Sequence, residues 1–344
     1  MKPKHLTTIA VCCLLIAVPL AMFMNASGQS PKPSPPSSNY RLSGPYTHKN
    51  LTVFLVHGKD QTTKTFLTLQ EALAQKKVKV YETKDVNELA IRNLSNQDIY
   101  VQSGDIVRGG DQDRMISTDF IVPPRSGRMK IAAFCVESGR WSKRGNEESA
   151  VFSSSDNVAA TKELKMAAKL DNSQEAVWQN VTVAQDKLSR SVGQPVNSRV
   201  SNSSFELAVE NSKVKESSAA YINALAGILR NKPDVIGYVF AINGKVNSAD
   251  VYASRALFVK LWPKLLKSSA VEAIAELNKD EVKPVTTDTI DSFLAESEKP
   301  AGAAKTVTPR VRMVKREDEN NVLFETQDRD QKDVWVHRNY IKKQ

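Results

Sequence analysis

Apolar and polar residues alternate along much of the first third of the chain, with the two-residue period of β-strands. Six short segments there are rich in β-branched and aromatic residues and are predicted to be strands. These segments are 51–56, 78–82, 89–92, 99–101, 120–122 and 131–136. Thr68 precedes Glu71 by three residues, a capping-box spacing that predicts a short helix between the first two strands. The pattern therefore predicts an antiparallel set of strands interrupted by a helix.

The middle of the chain changes to the period of a helix. Segments 158–170 and 176–188 have apolar residues at helical spacing and contain neither Gly nor Pro. A longer apolar stripe from Leu207 to Ile228 has spacings of three, four and seven residues and predicts one long helix. No stretch of roughly 20–50 residues repeats, so the pattern disfavours solenoids and propellers.

The last third returns to strands. Segments 235–242 and 245–252 flank Asn243-Gly244, the preferred two-residue connection of a type I′ hairpin. Helices are predicted at 254–266, 270–277 and 287–296, a linker-like segment at 297–306, and strands at 310–314, 322–326 and 334–337. The sequence thus predicts an α+β fold, in which N- and C-terminal strands build an antiparallel β-sheet and the central helical segment packs on it.

The N-terminus has the order of charges and apolar residues that is typical of a secretory signal peptide. Lys2 and Lys4 precede an uncharged apolar run from Ile9 to Met24, and small or polar residues follow. Residues 1–27 are therefore predicted to be a signal peptide, and the protein is expected to be exported to a periplasmic or extracellular location. An uncleaved N-terminal anchor is the alternative, because the run approaches the ~20 residues that span a bilayer.

The composition is that of a globular protein behind a short spacer. With 41% hydrophobic and 25% charged residues, the chain is neither a collagen, a fully disordered protein nor a polytopic membrane protein. Residues 28–44 begin with a Pro/Ser-rich stretch and are predicted to be a disordered linker. Residues 45–344 are predicted to be a single α+β domain.

Cysteine content predicts a fold without disulfides. Cys12 and Cys13 lie inside the apolar N-terminal run, so the exported body retains Cys135 alone. Because Cys135 falls in the apolar segment 131–136, it is interpreted as a small buried core residue.

The positive charge does not indicate a nucleic-acid partner. The net charge is +10, but the strongest basic cluster, 310–316, is followed at once by the acidic residues 317–319, and aromatic residues make up only 7%. No specific nucleic acid is expected, and membrane contact is expected only through an uncleaved N-terminal segment.

Standard catalytic and metal-binding signatures are missing from the sequence. His48, His57 and His337 have no partner at the spacing of a zinc site, so no metal is predicted. The nucleophile elbow, the zinc-protease helix, the Walker loop and the dinucleotide fingerprint are also missing. The sequence leaves a Ser-His-Asp triad open, since its members are distant in the chain. The cofactor is unknown.

The densest group of unusual residues is segment 103–114. Gly109 and Gly110 permit positive φ, so their backbone amides could form an anion-binding nest. Arg114 offers forked donors to phosphate or carboxylate, and Gln112 offers both a donor and an acceptor. These four residues are predicted to bind a ligand.

Two other interpretations of segment 103–114 remain open. Its carboxylates could hold a hard cation such as Mg²⁺ or Ca²⁺. They are Asp105, Asp111 and Asp113. The segment could equally be a polar glycine turn with local ion pairs.

A second polar patch follows the predicted strand at 131–136. Glu137 is a candidate general acid or base, Arg140 a candidate substrate clamp, and Trp141 a flat face for a base or sugar. The alternative is a structural Arg–Glu pair with Trp141 closing the core. If both patches form one site, Gln112 and Arg114 should face Glu137 and Arg140, with Trp141 at the mouth.

Several segments together resemble a known family. They are 65–73, 86–89, 109–114 and 135–141, with 243–244 and 257–262 in the later half. The chain resembles the ARG and rhodanese-phosphatase-superfamily-associated protein domain over roughly residues 45–340. That family's name records genomic association with ADP-ribosylglycohydrolases and rhodanese-like phosphatases, and no reaction has been assigned to it.

Two functions are consistent with the sequence and the resemblance. The first is binding of, or action on, a phosphorylated or nucleotide-like small molecule related to ADP-ribose, which makes an anionic small molecule the expected partner. The second is a non-catalytic interaction or structural module of the cell envelope. Whether the protein is an enzyme is left open by the sequence.

Overall fold

The computed structural model describes residues 1, 38–145, 151–158, 161–278 and 283–343. The described residues from 38 onward belong to one compact unit. Apart from Met1, the predicted signal peptide lies outside the described residues. Residues 28–37 of the predicted linker also lie outside them. The first strand, β1, spans Arg41–His48, so the last residues assigned to the linker belong to a sheet.

The fold is α+β with antiparallel sheets, as the sequence predicts. The further strands are β2 Leu51–His57, β3 Leu67–Thr68, β4 Val78–Glu82, β5 Glu88–Asn93, β6 Ile99–Val101, β7 Asp105–Gly109, β8 Arg114–Ile116, β9 Phe120–Val122, β10 Met129–Cys135, β11 Phe152–Val158, β12 Val235–Ile242, β13 Lys245–Tyr252, β14 Ala303–Thr306, β15 Val311–Glu317, β16 Asn321–Asp328 and β17 Val334–Lys342. The helices are α1 Leu69–Ala74, α2 Lys162–Lys169, α3 Gln174–Val192, α4 Phe205–Val209, α5 Ser212–Leu225, α6 Arg255–Ala275 and α7 Thr287–Glu298.

The strands of the described residues divide among three sheets rather than joining one. An eight-stranded sheet has the order β1-β2-β12-β13-β17-β16-β15-β14 and does combine N- and C-terminal strands. The remaining N-terminal strands form a six-stranded sheet, β11-β7-β8-β10-β5-β4, and a small sheet, β3-β6-β9, in which β3 and β6 run parallel. Alternation of apolar residues determines which face of a strand is buried and leaves open which neighbour it pairs with.

Local signals for turns and caps are confirmed. Thr68 and Glu71 form both hydrogen bonds of a capping box at the start of α1. Asn243 and Gly244 have φ values of 52° and 71° between β12 and β13, the positive values that a type I′ turn requires.

Three helix predictions need correction. The stripe from Leu207 to Ile228 is broken into α4, α5 and a 3₁₀ turn, because the Asn211 side chain caps a new helix by accepting from the Lys213 N–H. The two helices predicted between 254 and 277 are one helix, α6, which continues through Pro263. The segment predicted as a helix from 158 begins with the end of β11, and α2 starts at Lys162.

The eight-stranded sheet has an apolar core on each face. Val53 and Leu55 of β2 belong to the larger core, which includes α6. Phe54 and Val56 point the other way and pack with α7. Among the described residues, no helix is both long and apolar enough to cross a membrane.

Candidate functional site

Most of segment 103–114 is a β-hairpin, and only a short turn joins its strands. β7 and β8 pair antiparallel, and residues 110–113 connect them. Gly109 and Gly110 both have positive φ, as expected. A Cβ on Gly110 would lie 2.4 Å from Cζ of Phe152 and 2.7 Å from Oε2 of Glu82. The tight packing at Gly110 therefore requires glycine independently of any ligand.

The two polar patches of the sequence lie against each other. β8 pairs with β10, which places Arg114 opposite Cys135. Beyond that pair, the Val136 N–H donates to the Asp113 carbonyl over 3.0 Å, and the Asp113 N–H donates to Oε2 of Glu137 over 3.3 Å. The sheet thus brings Glu137 to the turn that carries Gln112.

Four charged side chains meet at this point, and we call Asp113, Glu137, Arg140 and Arg144 the carboxylate–arginine cluster. Arg140 lies 2.8 Å from Oε2 of Glu137 and 3.8 Å from Oδ1 of Asp113. Arg144 donates to both oxygens of Asp113, over 3.0 and 3.3 Å. Both carboxylates are fully buried, so each needs this pairing to remain charged.

The two carboxyl groups differ in proton affinity. Burial raises the pKa of Asp113 above its ordinary value, and the charge of Arg144 offsets only part of this. Burial acts in the same direction on Glu137, but hydrogen bonds from Arg140 and Ser201 outweigh it, so the pKa of Glu137 is lowered. Neighbouring carboxyl groups with pKa values displaced in opposite directions are a feature of acid–base sites.

Gln112 is the most unusual side chain beside the cluster. It is fully buried, yet neither its Oε1 nor its Nε2 has a hydrogen-bond partner among the described residues. A buried polar group without a partner costs roughly 1–3 kcal/mol. Such a group indicates that something polar belongs beside it, either water or a ligand.

Arg114 makes internal contacts. Its NH1 donates to the carbonyls of Val86 and Asp85, over 2.6 and 3.2 Å, and its NH2 lies 3.3 Å from Oε1 of Glu82. Arg114 and Glu82 are both almost completely buried. The sequence placed Arg114 opposite Glu137, but its ion-pair partner is Glu82.

Trp141 and its neighbours form the outer surface of the site. Residues 138–143 are exposed except for Arg140, and Trp141 is 58% exposed. The cluster therefore lies beneath a surface segment, with Arg140 reaching inward. Because Trp141 is exposed, it does not close the core. Its place at the mouth of a ligand site stays a prediction.

The cation interpretation of segment 103–114 is not supported. Its three aspartates have different cationic partners, which are Lys264 for Asp105, Lys84 for Asp111 and Arg144 for Asp113. Within the described residues, no group of three or more His, Cys, Asp or Glu side chains could hold a metal ion.

The sequence prediction missed two residues of this region, Arg144 and Glu82. Arg144 follows Trp141 by three residues, so a second patch extended by three residues would have included it. Glu82 ends β4, 32 residues before Arg114. No local signal in the sequence links Glu82 to Arg114, because only the sheet brings these two residues together.

The fold and this region define an α+β protein with a buried charged cluster beside a surface segment. The family model of the ARG and Rhodanese-Phosphatase-superfamily-associated Protein domain matches residues 39–341. The chain therefore belongs to this family, as its resemblance indicated. No curated protein and no solved structure gave a significant match.

Proposed function

We propose that this protein binds an anionic small molecule, phosphorylated or nucleotide-like, beside the carboxylate–arginine cluster. The observation that carries the proposal is the fully buried amide of Gln112, which has no hydrogen-bond partner among the described residues. Trp141 offers an exposed aromatic face on which a base could stack.

Unpaired donors favour a ligand rich in oxygen. Besides Nε2 of Gln112, the Nε atoms of Arg114 and Arg140 are buried without a hydrogen-bond partner in the described part of the chain. Phosphate and carboxylate oxygens are acceptors that match such donors, and hydrogen bonds from guanidinium to an anion are among the strongest in proteins.

The cluster can accommodate the charge of an anion by taking up a proton. Two carboxylates and two guanidiniums cancel when all four groups are ionised. Because burial raises the pKa of Asp113, Asp113 is the carboxyl group that we expect to take up this proton when an anion binds. Glu137, whose pKa is lowered, stays ionised and is the candidate general base if a reaction follows.

The proposal is tested by a thermal-shift and calorimetry panel of ADP-ribose, ADP, ribose 5-phosphate and inorganic phosphate. A ligand at 100 times its Kd stabilises the folded protein by about 2.7 kcal/mol, which shifts the melting temperature measurably. We expect at least one of these anions to bind with a heat that depends on Gln112.

The decisive variant is Gln112→Met, which preserves the volume of the side chain and removes the amide. Without ligand, it should unfold at higher urea than the wild type, with a gain of up to roughly 1–3 kcal/mol, because no unpartnered group is then buried. The stabilisation by the anion should be lost. A variant that loses stability and still binds the anion would contradict the proposal.

Gln185→Met is the matched control. Gln185 is also buried, but its Nε2 donates to the carbonyls of Asn202 and Ser204 over 3.0 and 3.1 Å. Replacing it should cost roughly 1–3 kcal/mol and leave anion binding intact. A gain in the free energy of unfolding for Gln112→Met and a loss for Gln185→Met would distinguish an amide that binds ligand from one that is structural.

We further propose that the protein acts outside the cytoplasm. Lys2, Lys4 and the apolar run to Met24 support export, and the Pro/Ser-rich stretch supports a spacer. Cell fractionation and N-terminal sequencing of the purified protein test this, since a start beyond residue 24 would indicate cleavage. If the whole anion panel gives no shift, the non-catalytic envelope module becomes the better explanation.

A further inference from the structure

Three strands of the large sheet bring a serine, a histidine and an aspartate together at one end. His57 is the last residue of β2, and in the β1–β2 pair it lies opposite Arg41, two residues from Ser43 on the same face. Asp234 immediately precedes β12, whose Val235 pairs with His57. The backbone of Asp234 is held there because its carbonyl accepts from the Gly58 N–H over 2.9 Å.

The distances among the three side chains are those of a hydrogen-bonded relay. Oγ of Ser43 lies 2.7 Å from Nε2 of His57, and Nδ1 of His57 lies 2.9 Å from Oδ1 of Asp234. The hydrogen bond from His57 is the main cause that lowers the pKa of Asp234, in keeping with an Nδ1–H that donates to a carboxylate.

The surroundings leave the hydroxyl within reach of solvent. The His57 ring is buried, but Ser43 is only half-buried and the adjoining Gly44 and Pro45 are exposed. Among the described strands, β1 also lies at the edge of the sheet, next to β2. A small molecule therefore needs no rearrangement of the core to approach Oγ.

Arg41 competes with Asp234 for the same ring nitrogen. Its NH2 lies 2.8 Å from Nδ1 of His57 and also pairs with Asp234. If Nδ1 donates to Asp234, then Nε2 accepts the Ser43 proton. If Nδ1 instead accepts from Arg41, then Nε2 carries a proton and Ser43 is not activated. The two neighbours thus favour opposite tautomers.

From this geometry we propose that Ser43 is a nucleophile for acyl transfer from activated acyl esters to water. His57 is the base and Asp234 is the positioning residue. Arg41 slows the reaction, because it favours the tautomer of His57 that cannot accept the Ser43 proton. Oγ forms a bond to the acyl carbon while its proton moves to Nε2. The bond from carbon to the leaving oxygen then breaks, and that oxygen takes the proton. Water, deprotonated in turn by His57, then forms a bond to the acyl carbon. The bond from that carbon to Oγ breaks and Oγ takes the proton back from His57, which releases the acid and restores Ser43.

A fluorophosphonate probe tests the nucleophile directly, with p-nitrophenyl acetate as a turnover substrate. We expect mass spectrometry to place the probe on Ser43 of the full chain and the Ser43→Ala variant to lose the label. Thr47→Ala is the matched control, since Thr47 is an exposed hydroxyl on the same strand whose Oγ1 meets that of Thr52 at 3.1 Å. It should label like the wild type.

The two neighbours of His57 should shift the labelling rate in opposite directions. Asp234→Asn should slow it by at least about 10²-fold, because His57 is then no longer held in the tautomer that accepts the Ser43 proton and its contribution as the general base is lost. Arg41→Ala should speed it, because the competing tautomer loses its partner. If the contact among Ser43, His57 and Asp234 were purely structural, neither variant would change the labelling rate in this way.

Ser43→Cys keeps the experiment informative if Ser43→Ala does not fold. Its thiol should react with iodoacetamide faster than it does in the doubly substituted Ser43→Cys, Asp234→Asn variant, with the wild type as the background for the native cysteines. Equal rates in those two variants, or no probe on Ser43 in either the wild type or Arg41→Ala, would overturn the proposal.

Discussion

Arg114 shows how a single buried charge acquires its role from its partners. The side chain is 2% exposed, and it joins Glu82 on β4 to two carbonyls in the connection from β4 to β5. A guanidinium in that position holds the β8 strand against the β4–β5 hairpin. Its two terminal nitrogens are occupied, and only Nε remains for the proposed ligand.

The Arg114→Ala variant should therefore lose stability as well as ligand binding. Removing one partner of a buried ion pair leaves the other charge uncompensated, at a cost of about 3–5 kcal/mol. Urea denaturation followed by circular dichroism measures the loss. Lys213→Ala removes an exposed pair with Glu216 and should change the midpoint little. A similarly small change for Arg114→Ala would contradict the structural role.

At the scale of elements, α6 explains why a proline does not always end a helix. Pro263 is exposed, so the carbonyl of Val259 that loses its hydrogen-bond donor is on the solvent side. Trp262 and Leu266 flank it on the buried side, and Nε1 of Trp262 also donates to the Ala226 carbonyl over 3.3 Å. Burial of that face keeps the helix continuous.

Pro263→Ala should raise the free energy of unfolding. An interior Pro is about 3 kcal/mol less favourable than Ala, and its restriction of the unfolded chain returns ~0.4–1 kcal/mol. The net gain should be about 2 kcal/mol, measured by urea denaturation. The control Pro124→Ala changes an exposed turn residue and should lose stability slightly. A loss at position 263 as well would show that Pro263 is required for the path of α6.

At the scale of the whole molecule, a buried network around His337 ties distant parts of the chain together. Nδ1 of His337 lies 2.7 Å from Asp119, and Nε2 lies 3.0 Å from Asp250 on β13. Thr326 on β16 also donates to Asp119 over 2.8 Å. Lys169 of α2 donates to Asn339 over 3.4 Å in the same interior. The network connects the large sheet with α2 and with the segment before β9.

This network should make stability decline as the pH rises. Burial lowers the pKa of His337, but Asp119 and Asp250 outweigh it, so the folded pKa is raised. Between the unfolded value, about 6.5, and the folded value, the native state binds more protons, so unfolding free energy falls by up to about 1.4 kcal/mol per pH unit. The contribution is complete below about pH 6.5 and lost above the folded pKa.

Urea denaturation from pH 5 to pH 9 measures this decline, and the His48→Gln variant, which removes a different ring, should retain it. Stability that is constant from pH 6.5 to 8 would mean that His337 is uncharged in the folded protein.

Stability should also fall in acid, because the folded pKa values of Asp119 and Asp250 are lowered. Their contribution is complete above the unfolded value of about 3.9 and is lost as the pH falls through the folded values.

Much of the fold could be predicted from sequence because its signals are local. The capping box at Thr68, the turn at Asn243-Gly244 and the period-two strands each depend on neighbouring residues. The edge strands β1 and β14 were missed because they are largely exposed and carry little apolar alternation. The break at Asn211 was missed because the apolar stripe continues across it.

The candidate site was predictable in its composition but not in its pairing. The sequence determined that Gln112, Glu137, Arg140 and Trp141 are unusual residues beside strands, since residue type and local polarity are properties of the chain.

Only the tertiary structure decided that Arg114 pairs with Glu82, that Gln112 is buried with no partner in the described part of the chain, and that His57 lies between Ser43 and Asp234. Those contacts join residues on different strands, up to 191 positions apart for Ser43 and Asp234. Strand order and register set them, and both result from burying the whole core at once rather than from any single segment.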